Sequence, residues 1–302
     1  YYDQSAKFDE DLEGDPIAIP IDPMCSYWAD IEDELEEDIW NHCDELIKDH
    51  KKEIERTSKK KEKKDRQKII AFYEKEEYSD AAYGFDLVTR MGRGTTYAKE
   101  AQFLLAESYF KNKQYLLAAS EYERFISYYP QDERRQEVEF NRALSYYQQS
   151  PRYRLDQGPT MRAIELFQLF NNNYPNSPFI NESAQKIDEL RNKLARKTYE
   201  SGQFYLRTLR YKAATIYFDQ TIDLYPETRW AESALLKIIE TYVSYAQQSI
   251  QSKQVERYNL AVENYEKFIQ LFPQSMLRSE AESYYLQAVS EIRKLEPVAS
   301  AN

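Results

Sequence analysis

From Tyr115 to Pro130 the apolar side chains return at helical spacing, at Tyr115, Ala118, Tyr122, Phe125 and Tyr129, and a proline closes the run. The proline ring and its missing N–H end a helix interior, so the stretch is an amphipathic helix with a defined stop. The pattern recurs along the chain. Positions +4, +7, +11 and +12 from an alanine give Ala118/Tyr122/Phe125/Tyr129/Pro130, Ala163/Phe167/Phe170/Tyr174/Pro175, Ala214/Phe218/Thr221/Tyr225/Pro226 and Ala261/Tyr265/Phe268/Phe272/Pro273. A degenerate first copy, Ala81/Phe85/Val88, ends in Gly92. A tyrosine three residues before the alanine recurs at Tyr78, Tyr115, Tyr211 and Tyr258.

Each such helix has a partner upstream. Leu105, Ala106 and Tyr109 precede Ala118, and a small residue facing a large one lets two helices approach closely. A large–small pair, an aromatic, then alanine, aromatic and proline is the tetratricopeptide arrangement. The fold class predicted is all-α, a tetratricopeptide-repeat solenoid of about five helix pairs with a C-terminal capping helix. Repeat four keeps the offsets with Gly202 and Tyr205. Repeat three does not, because Ala143 and Tyr146 lie too far before Ala163; the surplus is an insertion, Ser150–Pro159. A second surplus surrounds Gln247–Gln254. Two residues after each proline stands a side chain able to cap the next helix, Asp132, Ser177, Thr228 or Ser275. Stops and starts this close force neighbouring helices antiparallel. The last helix, Ser275–Lys294, is expected to cover the open end with Leu277, Ala281, Tyr284, Tyr285, Ala288 and Ile292.

The first repeat opens near Ile69, with helices predicted at Ile69–Glu76 and Tyr78–Met91. Upstream the pattern changes. Residues 1–24 are acidic and proline-containing, read as an extended or disordered tether, with docking of the short apolar patch Ile17–Ile21 on a partner as the alternative. In residues 26–50, Trp28, Ile31, Leu35, Ile39, Cys43, Leu46 and Ile47 recur at three- and four-residue steps, an amphipathic helix with an acidic opposite face. Lys48–Lys68 is dominated by lysine, and two readings stand: a solvated helix or linker with mixed-charge pairs, or a basic contact to anionic lipid or an acidic partner. The domains expected are a charged extension over 1–66, the solenoid over 67–296 and a disordered tail over 297–302.

Composition narrows the chemistry. Six glycines among 302 residues argue against barrels, Rossmann folds and phosphate-cradling loops, while 27 tyrosines and 14 phenylalanines supply bulk for packing between helices. A net charge of −11 disfavours nucleic acid as main partner, because phosphate affinity comes from clustered lysine and arginine. No apolar run reaches the ~18 residues that a membrane-spanning helix needs. Every histidine and cysteine lies between 25 and 50 (Cys25, His42, Cys43, His50). Their spacing is poor for zinc: His42 and Cys43 are adjacent, about 100° apart on a helix, and no paired-cysteine motif is present, so no metal or other cofactor is expected. With neither residue type beyond 50, nucleophilic triads are unavailable on the solenoid, and an enzyme is not expected.

What remains is a concave surface lined by the opening helices. The residues between the packing positions are the peptide-groove candidates: Glu100, Phe103, Glu107 and Phe110 in repeat two, and Arg196, Tyr199, Gln203 and Leu206 in repeat four. Aromatic and charged side chains in alternation suit an extended peptide.

The insertions are more specific than a generic repeat. Ser150-Pro151-Arg152-Tyr153 with Leu155-Asp156-Gln157, then Ala163-Ile164-Glu165, Tyr174-Pro175-Asn176-Ser177 and Ile187-Asp188-Glu189-Leu190-Arg191, resembles the BamD family, tetratricopeptide lipoproteins of the bacterial outer-membrane β-barrel assembly machine. Ser249-Ile250, Ser252-Lys253-Gln254 and Glu256-Arg257-Tyr258 resemble its branch in Bacteroidetes-like bacteria. The resemblance covers about 69–295 and implies a scaffold on the periplasmic face of the outer membrane, held by an N-terminal lipid. It also implies partners: the POTRA domains of the barrel-forming subunit through the C-terminal half, unfolded outer-membrane proteins through the N-terminal half, and other assembly subunits. Cys25 follows Asp22-Pro23-Met24 instead of the small residues and apolar run of a lipoprotein signal. The lipidated cysteine is therefore expected before Tyr1, or residues 1–66 are a lineage-specific extension. A generic peptide-binding adaptor or co-chaperone using the same groove is the alternative.

Overall fold

The computed structural model describes residues 36–91 and 96–299. Among them stand eleven helices: α1 (Glu36–Glu74), α2 (Tyr78–Met91), α3 (Thr96–Lys111), α4 (Tyr115–Tyr128), α5 (Arg135–Gln149), α6 (Gly158–Asn173), α7 (Ile180–Arg207), α8 (Tyr211–Leu224), α9 (Arg229–Gln247), α10 (Gln251–Leu271) and α11 (Arg278–Ala299). Two compact units divide between Ala71 and Phe72.

In the first unit the lysine-rich run is continuous helix, part of the 39-residue α1, not a linker. Its described side chains are mostly exposed, and so are Leu46 and Ile47, which the periodicity places on an apolar face. His50 Nδ1 lies 3.2 Å from the Leu46 carbonyl, within its own helix. The expected tether, Cys25, and the side chains of His42 and Cys43 lie outside the described residues.

In the second unit each helix from α2 to α11 packs on the next, and α7, α9 and α11 also touch in turn, the contact pattern of stacked helical hairpins. The alanines at the origin of the pattern, Ala81, Ala118, Ala163, Ala214 and Ala261, have no exposed surface. Tyr122, Phe125, Phe167, Phe170, Phe218 and Phe268 are buried beside them. Tyr265, by contrast, is only partly buried, stacked 4.4 Å from Tyr285 of the capping helix. Ala281 and Ala288 of that helix are fully buried. It continues through Ala299, into the segment expected to be a tail.

Two kinds of turn make the hairpins. Within repeats one, two and four the tight turn puts Glu76, Lys113 and Leu209 at φ 63°, 60° and 58°. Each stands five residues before its alanine and completes the same pair of hydrogen bonds: Lys113 N–H to Phe110 O and Gln114 N–H to Tyr109 O, with equivalents at Glu76/Glu77 and Leu209/Arg210. This is a Schellman ending, which satisfies carbonyls that the helix leaves without partners. No glycine marks it, so the sequence gives no sign of it.

Between repeats the turn is set by proline. Tyr129, Tyr174, Tyr225 and Phe272 all leave the helical region, with φ between −128 and −137°, because the following proline ring crowds an α conformation. Asp132, Ser177 and Ser275 then accept from the backbone N–H two residues on, at 2.9, 3.1 and 2.9 Å. These three cap a turn that precedes the helix, and the helices themselves start three residues later. Thr228 does occupy the N-cap of α9 but its hydroxyl donates to Tyr225 O at 2.9 Å, so it does not cap with its side chain.

Gly202 is fixed by proximity. A Cβ there would sit 2.6 and 2.7 Å from two ring atoms of Phe218, so only glycine lets α7 meet α8 at this distance. α7 has 28 residues because no break separates the stretch packed on α6, through Leu190 and Leu194, from the opening helix of repeat four.

Candidate functional site

The insertion between α5 and α6 is a built loop. Gln157 is buried, and its amide donates to Arg152 O and Leu155 O, both at 3.0 Å, while its carbonyl oxygen accepts from Thr160 Oγ1 at 2.8 Å. Ser150 Oγ lies 2.6 Å from Thr160 Oγ1, and Asp156 Oδ2 accepts from Gly158 N–H at 3.0 Å where α6 begins. Two lysines one turn apart on α7 hold it from outside: Lys193 Nζ donates to Ser150 Oγ and Lys197 Nζ to Leu155 O, each at 2.7 Å. Burial pushes the Lys193 ammonium below its ordinary pKa. Ser150, Asp156 and Gln157 thus serve the loop, and Pro151 starts it.

What the loop presents is Arg152, Tyr153, Arg154 and Leu155. With Gln185, Asp188, Glu189, Asn192, Lys193 and Arg196 of α7, and Arg229 and Trp230 at the start of α9, they line an open cavity of about 1190 Å³. Three of its five cations lie over its aromatics. The Arg196 guanidinium carbon is 4.3 Å from the Tyr153 ring centre and 5.8 Å from that of Trp230; Arg229 is 4.9 Å from Trp230, and Arg154 is 5.5 Å from Tyr153. Tyr199 backs Trp230 at 5.2 Å and is itself wedged against Phe218. Trp230 and Arg229 carry no repeat or motif signal in the sequence. The tertiary fold alone brings them to Tyr153.

Of the repeat-four groove candidates, Arg196 lines the cavity and Tyr199 supports it from behind. Gln203 Nε2 donates to Tyr199 Oη at 2.9 Å, and Leu206 packs on the C-terminal core. In repeat two, all four candidates meet neighbours outside α3. Glu100 accepts from Arg134 at 2.7 Å, and the same guanidinium lies 4.6 Å from the Phe103 ring centre. Phe103 and Phe110 are half-buried, each edge-on to an α4 ring, Phe125 or Tyr115. Glu107 accepts from Tyr122 Oη at 2.5 Å and Asn141 Nδ2 at 3.3 Å, tying repeat two to repeat three. Burial, with Glu107 beside it, pushes the Tyr122 phenol well above its ordinary pKa. Asp132 completes this cluster, paired with Lys99 at 2.8 Å and Arg134 at 3.2 Å. Burial would raise its pKa, but those donors outweigh it and hold the carboxyl at about 2.

The second insertion repeats the locking principle. Gln254 Nε2 donates to Ser249 O at 3.2 Å, and Arg257 donates to Ser249 Oγ while its guanidinium carbon lies 3.5 Å from the Tyr245 ring centre. Tyr245 stacks on Tyr211, and Tyr258 is buried. Lys253 pairs with Glu256 at 2.7 Å on the exposed side.

Three relatives are similar over about half of this chain, and all are outer membrane protein assembly factors BamD. The one from Rickettsia prowazekii is 29% identical over 58% of this chain and 69% of its own length. The one from Caulobacter vibrioides is 25% identical over 55% of each. The one from Vibrio cholerae is 27% identical over 48% of this chain and 65% of its own. This chain thus spans between about half and two thirds of the length of these relatives. The family model for YfiO, described as outer membrane lipoprotein, matches residues 60–257, taking in the whole first insertion and reaching Arg257 in the second. That match covers well over half of the sequence, and the chain belongs to the YfiO family of outer membrane lipoproteins.

Proposed function

We propose that this protein is a non-catalytic scaffold subunit of an outer-membrane β-barrel assembly machine. It sits at the periplasmic face of the outer membrane, held by an N-terminal lipid, and binds the POTRA domains of the barrel-forming subunit and unfolded barrel polypeptides. Membership of an outer membrane lipoprotein family and similarity to named assembly factors support the setting. The observation that carries the binding role is the cavity whose wall is made by the family-motif residues Arg152, Tyr153 and Leu155. Their loop is stiffened by Gln157 and two lysines, so these side chains are held ready and little conformational freedom is lost when a partner docks.

The test is site-specific photocrosslinking in cells, with a benzophenone amino acid in place of Tyr153 and, separately, of Leu155. The expected product joins the chain to an outer-membrane component, either a POTRA-bearing subunit or a barrel protein caught before insertion. Adducts confined to cytosolic proteins, in a chain that does not fractionate with outer membranes, would overturn the proposal in favour of a general peptide-binding adaptor.

A further inference from the structure

We propose that the cavity between the first insertion, α7 and α9 receives an acidic, aromatic-bearing segment of a partner polypeptide, with side-chain carboxylates on its guanidinium rim and a ring against Tyr153 and Trp230. This rests on the reading of the chain as a polypeptide-binding scaffold. Five cations, Arg152, Arg154, Lys193, Arg196 and Arg229, face two carboxylates in the cavity wall, within a chain whose net charge is −11. The arginines also lack close counter-charges. Among the described residues Arg152, Arg154 and Arg229 have no carboxylate within 4.0 Å, and Arg196 meets Glu200 only at 4.0 Å. By contrast, Arg134 is neutralised by Asp132 and Glu100, Arg142 by Glu123 and Arg191 by Glu227. Like charges gathered in a concave site without counter-charges create a positive potential that draws and orients carboxylates.

The stacking decides which anion fits. A guanidinium laid on an aromatic ring keeps its in-plane N–H groups free, and that edge matches a carboxylate in two parallel hydrogen bonds. The guanidinium carbons of Arg196 and Arg229 lie over the Tyr153 and Trp230 rings, 4.3 and 4.9 Å from their centres. The same rings leave apolar surface for an aromatic side chain, and the Gln185 and Asn192 amides in the wall suit peptide backbone. At about 1190 Å³ the cavity is larger than a typical small-ligand site, which runs to roughly 1,000 Å³. It suits several residues of extended chain.

Trp230 is a built-in reporter, since the other tryptophans are Trp28 and Trp40. The full chain carrying Trp28→Phe and Trp40→Phe would be titrated with a short peptide alternating glutamate and phenylalanine, blocked at both ends, while Trp230 emission and peptide anisotropy are followed. Saturable binding that changes Trp230 emission is expected, weakened at least about tenfold in Arg196→Gln/Arg229→Gln, as loss of one or two charged hydrogen bonds implies. A glutamine–phenylalanine peptide should bind at least about tenfold more weakly by the same reasoning. Arg152→Gln/Arg154→Gln, on the exposed loop, supplies a second variant should the first lose helicity. Equal binding of the glutamine peptide, unchanged affinity in both variants, or a Trp230 response to phosphatidylglycerol vesicles but not to the acidic peptide would each overturn the inference. The crosslinks from Tyr153 and Leu155 judge the scaffold role separately: an outer-membrane adduct with no acidic-peptide binding would leave that role standing and remove this one.

Discussion

Replacing Gly202 by alanine puts a methyl group where the Phe218 ring already lies, and two effects of opposite sign follow. Alanine is the better helix former by about 0.8–1.0 kcal/mol. Against that, the new Cβ would stand 2.6, 2.7 and 3.0 Å from three ring atoms, where ordinary contact begins near 3.4 Å. The ring is fully buried and cannot swing into solvent, so it or the helix must retreat by several tenths of an ångström. Overpacking of this kind costs about 1–3 kcal/mol. The net expectation is a loss of about 1 kcal/mol, a fall in Tm of about 2–4 °C for a domain of this size. A double-mutant cycle separates the two effects. In a Phe218→Ala background, or the milder Phe218→Val, the methyl has room and only the helical preference is left, so Gly202→Ala should stabilise by about 1 kcal/mol. Urea unfolding of the full chain followed by circular dichroism at the helical band measures all four proteins. If Gly202→Ala stabilises equally in both backgrounds, the close approach of α7 and α8 is not what requires glycine.

Two further outcomes are expected. Leu209→Gly should raise stability by about 0.5–1 kcal/mol in the same unfolding assay: the left-handed conformation costs a side-chain-bearing residue about 1–2 kcal/mol, glycine's extra unfolded-state freedom takes part of that back, and Leu209 is largely exposed; a loss of stability would show that its side chain packs after all. Asp132 has a folded pKa of about 2 against an ordinary 3.8, so its pairing stabilises the fold above about pH 4 and that contribution disappears as pH falls from 4 to 2; Asp132→Asn should therefore lower stability at pH 7 and flatten the acid side of the Tm-against-pH curve, and an unchanged acid limb would contradict the assignment.

The periodic sequence determined most of the solenoid by itself. A fully buried alanine admits a neighbouring helix only if nothing larger stands there, and large aromatics at +4 and +7 fill the space beside it. Steric exclusion of this kind is local, repeats with the chain, and is visible in the letters at Ala118, Tyr122 and Phe125. The proline stops are visible for the same reason. The Schellman turns at Lys113 and Leu209 are not, since neither residue announces a left-handed conformation and only the packing of the two flanking helices imposes it.

The candidate site divides along the same line. Arg152, Tyr153 and Leu155 were legible because an insertion breaks the repeat offsets, and Arg196 because it falls between packing positions. Trp230 and Arg229 were not, because their role depends on the distance between an insertion after α5 and the first turn of α9, a relation between residues far apart in sequence. Nor could spacing tell that Glu100 and Glu107 are occupied by Arg134, Tyr122 and Asn141, whose positions follow from how the helices pack within the hairpin and on the next one. The sequence by itself determined which residues make each hairpin; the tertiary structure alone decided which charges are neutralised between hairpins and which are left facing a cavity, because that balance depends on distances of a few ångströms between separate helices.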